Sequence, residues 1–335
     1  MKLLVLGGTW FVGRAIVEEA LDRAWNVTTF NRGQSGRGVV GAVNVHGDRT
    51  CVGDIQGLAE YGPWDALVDT SGYVPRNVLN VASSLLSQVN RYVFMSTVSV
   101  YKGWPAEALS EQSDLLHCPP DADSSYGEDV EDGPTRYGYQ KSGCESAVTE
   151  VFGESRSLLL RPGVVLGPRE YVGRLPWWLR RIAKGGPTLA PGSAERRIQP
   201  VDVRDLAEFT VQAIEDRQHG AFNIAANGSE TFGGLLNACI ATTHSSAELI
   251  WMSDDRLLAA GVRQWSEMPL WRTAPGTWAV AAAKAQRAGL RSRPLVETVG
   301  ATWEWMNTSP EIAANERSIE IGIDFSKEQA ILGRR

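Results

Sequence analysis

Cysteine and histidine are scarce in this chain of 335 residues, four of each. Cys51, Cys118, Cys144 and Cys239 lie far apart, with no C-x-x-C pair and no histidine pair nearby. That spacing argues against both a zinc module and a disulfide framework. His46, His117, His219 and His244 are too few and too scattered for a histidine-based centre, so no metal is expected. The thiols read as ordinary buried or half-buried groups, because free cysteine behaves as a small hydrophobe. Long apolar runs are missing as well. None approaches the ~20 residues that cross a bilayer, and Leu3 to Leu6 runs at once into Gly7 and Gly8, too short for a signal-peptide core. A soluble, cytoplasmic chain without a membrane partner is the expectation. Positive charge is in deficit, with 33 basic against 39 acidic residues and a formal charge of -6. This argues against a protein that coats nucleic acid, and no nucleic-acid partner is expected. There is no internal repeat and no low-complexity tail.

The chain does have enough apolar residues, 43%, for a buried core. Its length suits about two domains at roughly 150 residues each, or one elaborated unit. Over the first 160 residues, short apolar runs alternate with helical periods. Lys2–Leu6, Asn26–Phe30, Ala42–His46, Asp65–Asp69, Tyr92–Ser96 and Ser157–Arg161 read as strands. Val12–Arg23, Val78–Val89 and Arg136–Phe152 read as helices. Strands that are apolar throughout and separated by helices imply a parallel sheet covered on both faces. Right-handed crossovers make it an α/β, doubly wound (Rossmann) sheet with ligands outside the carboxyl ends of its strands. The acidic stretch Pro105–Thr135 reads as a long loop, either solvated surface or a flap over a substrate. Ile198–Val203 and Ala221–Ile224 read as returns to the sheet. The expected division is a dinucleotide-binding domain over residues 1–165, with returns at about 198–226. A smaller substrate-binding region takes 166–197 and 227–335.

Gly7-Gly8-Thr9-Trp10-Phe11-Val12-Gly13 follows the first strand and opens the first helix. Gly7 permits a tight turn, Gly13 permits close packing of helix on strand, and the helix terminus offers unpaired amides to a pyrophosphate. Trp10 occupies the place where such turns usually carry a second close-approach glycine. Its side chain must point away from the diphosphate or cover it. The second strand ends at Asn31-Arg32, where an acid would favour NAD. Arg32 could instead pair with a 2′-phosphate, so NADP is favoured over NAD. Asp48 is placed to accept from an adenine amino group, and Thr70-Ser71-Gly72 is a small-residue turn that lets the nucleotide pass near the backbone.

Tyr137 and Lys141 stand four residues apart on one face of a predicted helix. A phenol titrates near 10 unless a neighbouring ammonium favours the phenolate. Ser96-Thr97, ending the fifth strand, could hold a carbonyl oxygen. With these motifs the chain resembles the extended or atypical short-chain dehydrogenases/reductases, the NAD-dependent epimerase/dehydratase superfamily. The resemblance runs from Met1 to roughly Phe222 and includes Arg161 to Pro168 and Val201 to Ala207. It implies that Tyr137 exchanges the proton, that Lys141 holds the nicotinamide ribose, and that Thr97, four residues before Tyr101, is the hydroxyl residue, with Ser96 as backup. Pro162, Gly163 and Val164 would join the cofactor site. For an extended member the resemblance implies a homodimer through the helices at Val78–Val89 and Arg136–Phe152, and for an atypical one a monomer is the alternative.

Two departures bear on the substrate. Val164 and Leu166 stand where sugar-nucleotide members carry Asn and Tyr, and Trp10 replaces a glycine. The C-terminal part is rich in Trp (Trp177, Trp178, Trp251, Trp265, Trp271, Trp278, Trp303 and Trp305), some of which would wall an apolar pocket. The leading expectation is an NADP-linked oxidoreductase acting on a small or mid-sized carbonyl or alcohol. A nucleotide-sugar epimerase or dehydratase that keeps its cofactor is the alternative. A non-catalytic RNA-binding member of the fold is a third.

Overall fold

The computed structural model describes residues 1–309 and 320–333. They form two compact units. The first comprises Met1–Gly163, Val203–Ala225 and Ala279–Arg291; the second comprises Val164–Asp202, Ala226–Trp278 and Ser292–Arg335. Residues 279–291, expected in the substrate region, therefore belong with the sheet, and residues 198–202, expected with the sheet, do not.

In the first unit the chain runs β1 (Lys2–Leu6), α1 (Phe11–Asp22), β2 (Asn26–Asn31), β3 (Val43–His46), α2 (Val52–Gly57), β4 (Ala66–Asp69), α3 (Pro75–Leu85), β5 (Tyr92–Met95), α4 (Arg136–Phe152) and β6 (Ser157–Pro162). After the second unit's β7 (Val165–Leu166), α5 (Arg174–Ala183), β8 (Gly186–Pro191) and β9 (Val201–Asp202), it returns through α6 (Val203–Glu215) and β10 (Gly220–Ile224). The sheet order is β10-β6-β5-β4-β1-β2-β3, and every neighbouring pair is parallel. Order therefore reverses between β1 and β4, the switch point outside which such sheets hold ligands. Leu4, Leu67, Tyr92 and Phe94 of the strands bury against Val78, Val81 and Leu85 of α3 and Cys144, Val148 and Phe152 of α4. α1 packs on α6.

The segment Ile198–Val203 is not a strand of this sheet. Only Val201 and Asp202 are extended, and they pair with Val165 and Leu166 in a separate two-stranded ladder. From Val203 on, buried residues that include Val203, Leu206, Ala207, Thr210, Val211 and Ile214 recur at a helical period, which is why Val203 to Ala207 opens α6.

The loop over residues 105–135 carries no helix and is tied down along its length. Gln140 Nε2 donates to the carbonyls of Asp123 (2.8 Å) and Tyr126 (2.7 Å), Ser142 Oγ to Leu116 O, and the Leu116 N–H to Val100 O (2.8 Å). Leu109, Leu116, Cys118 and Ala122 are buried. Cys144 and Cys239 are buried too, whereas Cys51, expected to be at least half-buried, is exposed.

The second unit adds α7 (Phe232–Thr243), β11 (Ala247–Met252), α8 (Asp254–Ala259), α10 (Leu295–Thr308) and α11 (Phe325–Leu332), numbered after the first unit's short α9 (Ala283–Arg287). β8 pairs in parallel with β11. Trp178 and Trp271 are fully buried in its core with Phe232 and Leu236. Their indole N–H groups are met by Pro269 O (2.9 Å) and Asp254 Oδ1 (2.8 Å). Arg181 is paired with Glu328 at 2.7 Å, buried on both sides. These tryptophans are core, not pocket wall.

Candidate active site

At the carboxyl end of β1 the chain turns through Gly7 (φ 103°) and Gly8 (φ 88°), conformations that side-chain-bearing residues rarely adopt. A Cβ on Gly7 would lie 2.5 Å from Thr70 Oγ1, and one on Gly13 would lie 2.7 Å from the same atom. The two glycines thus let the first turn of α1 close onto the end of β4. Trp10 caps α1 in an extended conformation without a side-chain cap bond, and no acid stands in the first turn. The first turn of α1 thus carries no carboxylate of its own at the positive end of the helix. Phe11 is buried and Val12 half-buried.

Several expected cofactor residues act on the protein itself. Thr70 donates its hydroxyl to Leu6 O (2.9 Å), and Thr9 Oγ1 lies 2.9 Å from Ser35 Oγ. Asn31 spans the turn, donating to Gly7 O (3.3 Å) and accepting from the Gly33 N–H (2.8 Å). Asp48 accepts from the backbone N–H and hydroxyl of Thr50, which hold its carboxyl below the usual range; nearby Arg32 adds to that. Arg32 is exposed after β2. Pro162 ends β6 beside Ile224, and Gly163 donates to Ile224 O (3.0 Å). Val164 belongs to the second unit, where it is packed against the core. Leu166, which stands where sugar-nucleotide members carry Tyr, is fully buried in that same core.

Lys141 is the most constrained member of the set. Its side chain is 2% exposed, and Nζ donates to Gly72 O (2.9 Å) and Met95 O (2.5 Å) at the ends of β4 and β5. The ammonium sits 4.2 Å from the Phe94 ring centroid and 5.2 Å from that of Tyr73. Burial lowers its pKa to about 8, with Arg49 pushing the same way. Two of its three N–H donors are thus spoken for. Tyr137 lies one turn earlier, 37% exposed, its ring 6.3 Å from that of Tyr73. Thr97 accepts from the Ser99 N–H (3.2 Å) and donates to Ser99 Oγ (3.3 Å), capping the short 98–100 turn. Ser96 Oγ is buried with no partner.

Three features here escaped sequence reasoning. A Cβ on Gly138 would come within 2.2 Å of Ser99 O, so this glycine lets the start of α4 close onto the 98–100 turn. Tyr73 touches both Tyr137 and Lys141. Arg49 forms a bidentate pair with fully buried Asp69. Arg161, which opens the Arg161 to Pro168 stretch of the resemblance, is structural. It pairs with Glu145 (2.9 and 2.5 Å) and donates to Tyr101 OH (3.0 Å), which donates to Asn223 Oδ1 (2.6 Å). Among the described residues no group of His, Cys, Asp and Glu could hold a metal ion, and no helix is long and apolar enough to cross a membrane.

The strand order and helical crossovers make the first unit a Rossmann-like α/β domain. Residues 63–225 match the model of the NAD dependent epimerase/dehydratase family. Among solved structures, the enzyme WbmH of Bordetella bronchiseptica, in complex with NAD+, aligns over 92% of this chain and 99% of its own, with a TM-score of 0.66 and 19% identity. The UDP-glucose 4-epimerase of Thermus thermophilus, in complex with NAD, aligns over 92% and 100%, with a TM-score of 0.64 and 18% identity. A chloroplast stem-loop binding protein of 41 kDa from Arabidopsis thaliana is 26% identical over 258 residues, 71% of this chain. The chain spans 62% of the length of that relative.

Proposed function

We propose that the first unit binds a nicotinamide dinucleotide at the carboxyl ends of β1, β2 and β4 and transfers hydride to the carbonyl carbon, or from the hydroxyl-bearing carbon, of a small or mid-sized carbonyl or alcohol. The observation that carries this reading is the position of Lys141: a buried ammonium held at the ends of β4 and β5, one helical turn from Tyr137. Three features of the chain fit a dinucleotide. They are the Gly7–Gly8 cradle, the first turn of α1 without an acidic residue, and the orphaned Ser96 hydroxyl. The bound dinucleotide would supply the hydride acceptor or donor.

In this mechanism Tyr137 gives or takes the substrate hydroxyl proton. Lys141 turns its remaining N–H towards the ribose and favours the phenolate of Tyr137 by charge. The Thr97–Ser99 hydroxyl pair holds the substrate oxygen. Arg32, exposed and without an acid in its own strand end, pairs with a 2′-phosphate and makes NADP the preferred form.

A second reading, a nucleotide-sugar epimerase or dehydratase that returns the hydride within one turnover, is favoured by the family match over residues 63–225. Leu166 lies in the core and so does not itself wall out a sugar nucleotide. An RNA role, suggested by the name of the chloroplast relative, sits poorly with a net charge of -6.

Absorbance of freshly purified protein near 260 and 340 nm separates the first two readings. Dinucleotide retained through purification speaks for the internal-redox reaction. Reversible binding of NADPH, tighter than NADH and with the gap narrowed in Arg32→Ala, speaks for the reductase. No binding of either form sinks both.

A further inference from the structure

A cavity of about 530 Å³ opens at the amino ends of β4, β5 and β6, the end of the sheet opposite Gly7, Thr70 and Ser96. Its lining includes Asp65, Arg91 and Arg156, each immediately before one of those strands, and Glu215 and Arg217 at the end of α6. Both carboxylates have partners. Asp65 accepts from the backbone N–H of Lys2 (2.8 Å), and Glu215 pairs with Arg23 (2.7 Å).

The three guanidiniums are not neutralised in the same way. Arg156 donates only to backbone carbonyls, those of Asn90 (2.8 Å), Val89 (2.6 Å) and Leu86 (3.3 Å). Arg91 donates to Gln218 O and keeps a buried Nε with no acceptor. Among the described residues no carboxylate lies within ion-pair distance of any of the three, and Arg217 has no side-chain partner. Burial and the Arg217 charge both lower the pKa of Arg91, so the two cations disfavour one another as the chain stands.

We propose that this cavity is a second ligand site, separate from the dinucleotide edge, that binds a small phosphate-bearing molecule through Arg91 and Arg217, with Arg156 adding charge. A single phosphate between Arg91 and Arg217 would relieve the repulsion of the two guanidiniums. The planar fork of arginine suits phosphate oxygens in paired hydrogen bonds. The volume falls within the ~300–1,000 Å³ of small-molecule sites. Asp65 and Glu215 in the lining would repel a continuous polyanion, which favours a compact ligand over a nucleic-acid backbone.

The test is calorimetric titration of pyrophosphate, and separately of inorganic phosphate, into the full chain already saturated with NADPH at low ionic strength. Saturable one-to-one binding is expected, at least tenfold weaker in Arg217→Ser, with NADPH affinity and circular dichroism unchanged. Arg217 holds nothing else in place, so that variant should fold. Arg91→Met should weaken binding as strongly. Absence of binding to both anions, or affinity in Arg217→Ser within twofold of the parent, overturns the proposal. Because NADPH affinity is read by itself, failure here and failure of the dinucleotide reading are distinguishable.

Discussion

The guanidinium of Arg49 grips the carboxylate of Asp69 with both prongs, Nη1 to Oδ1 and Nη2 to Oδ2, each at 2.8 Å. Asp69 is completely buried at the end of β4 and also accepts from the Tyr92 hydroxyl (2.8 Å) and the Ser71 N–H (3.0 Å). Arg49 reaches Ser71 Oγ as well (2.9 Å). The pair therefore fastens the segment after β3 to the turn over which the nucleotide would pass. Breaking such a pair from one side strands the other charge.

Asp69→Asn should accordingly destabilise the chain by about 3–5 kcal/mol, the usual cost of removing one partner of a buried pair. Burial pushes the Asp69 carboxyl up, but Arg49 and the hydrogen bonds outweigh it, so the folded-state pKa lies below the unfolded one. Its contribution is present above about pH 4 and lost as pH falls through the lowered value. Urea unfolding at a series of acidic pH values should show the parent losing stability on acidification more steeply than Asp69→Asn. Parallel curves would refute this.

Lys141 titrates in the opposite sense. Its folded pKa of about 8 lies below the ~10.4 of an unfolded lysine, so the unfolded chain holds the extra proton between those values. Stability should rise with pH across that window by at most about 3 kcal/mol. Lys141→Met should flatten the rise while weakening dinucleotide binding. A parent and variant with the same slope between pH 8 and 10 would show that burial does not shift this amine.

Tyr137→Phe keeps the ring beside Tyr73 and removes only the hydroxyl. Turnover on the true substrate should fall by about 10²–10⁴-fold, the range for a general acid–base group. Dinucleotide affinity should stay within twofold of the parent. Full turnover in the variant would move the proton to another group and leave Tyr137 a surface residue.

Gly138→Ala tests the closure of α4 on the 98–100 turn. Alanine is favoured over glycine in helices by about 1 kcal/mol, but here its Cβ would meet Ser99 O at 2.2 Å. The backbone must shift, at a cost of about 1–3 kcal/mol for overpacking. Lower kcat with near-normal cofactor affinity is expected, together with a lower Tm. A variant as stable and active as the parent would mean that the close approach is not needed.

Much of this protein was legible along the chain. Continuous apolar runs such as Leu3–Leu6 and Leu158–Leu160 announce a parallel sheet because burial on both faces favours apolar residues at successive positions. The Gly7–Gly13 turn and the Tyr137/Lys141 spacing are local patterns, set by backbone conformation and helix period, so they survive in sequence. What only the tertiary structure decided was partnership. Lys141 spends its donors on Gly72 O and Met95 O, Arg161 is consumed by Glu145, Arg49 finds Asp69, and Leu166 turns into the core of the second unit. Residue type says that an arginine or a leucine is present. Whether it meets a ligand or another buried side chain depends on segments distant in sequence, and their approach is decided by packing.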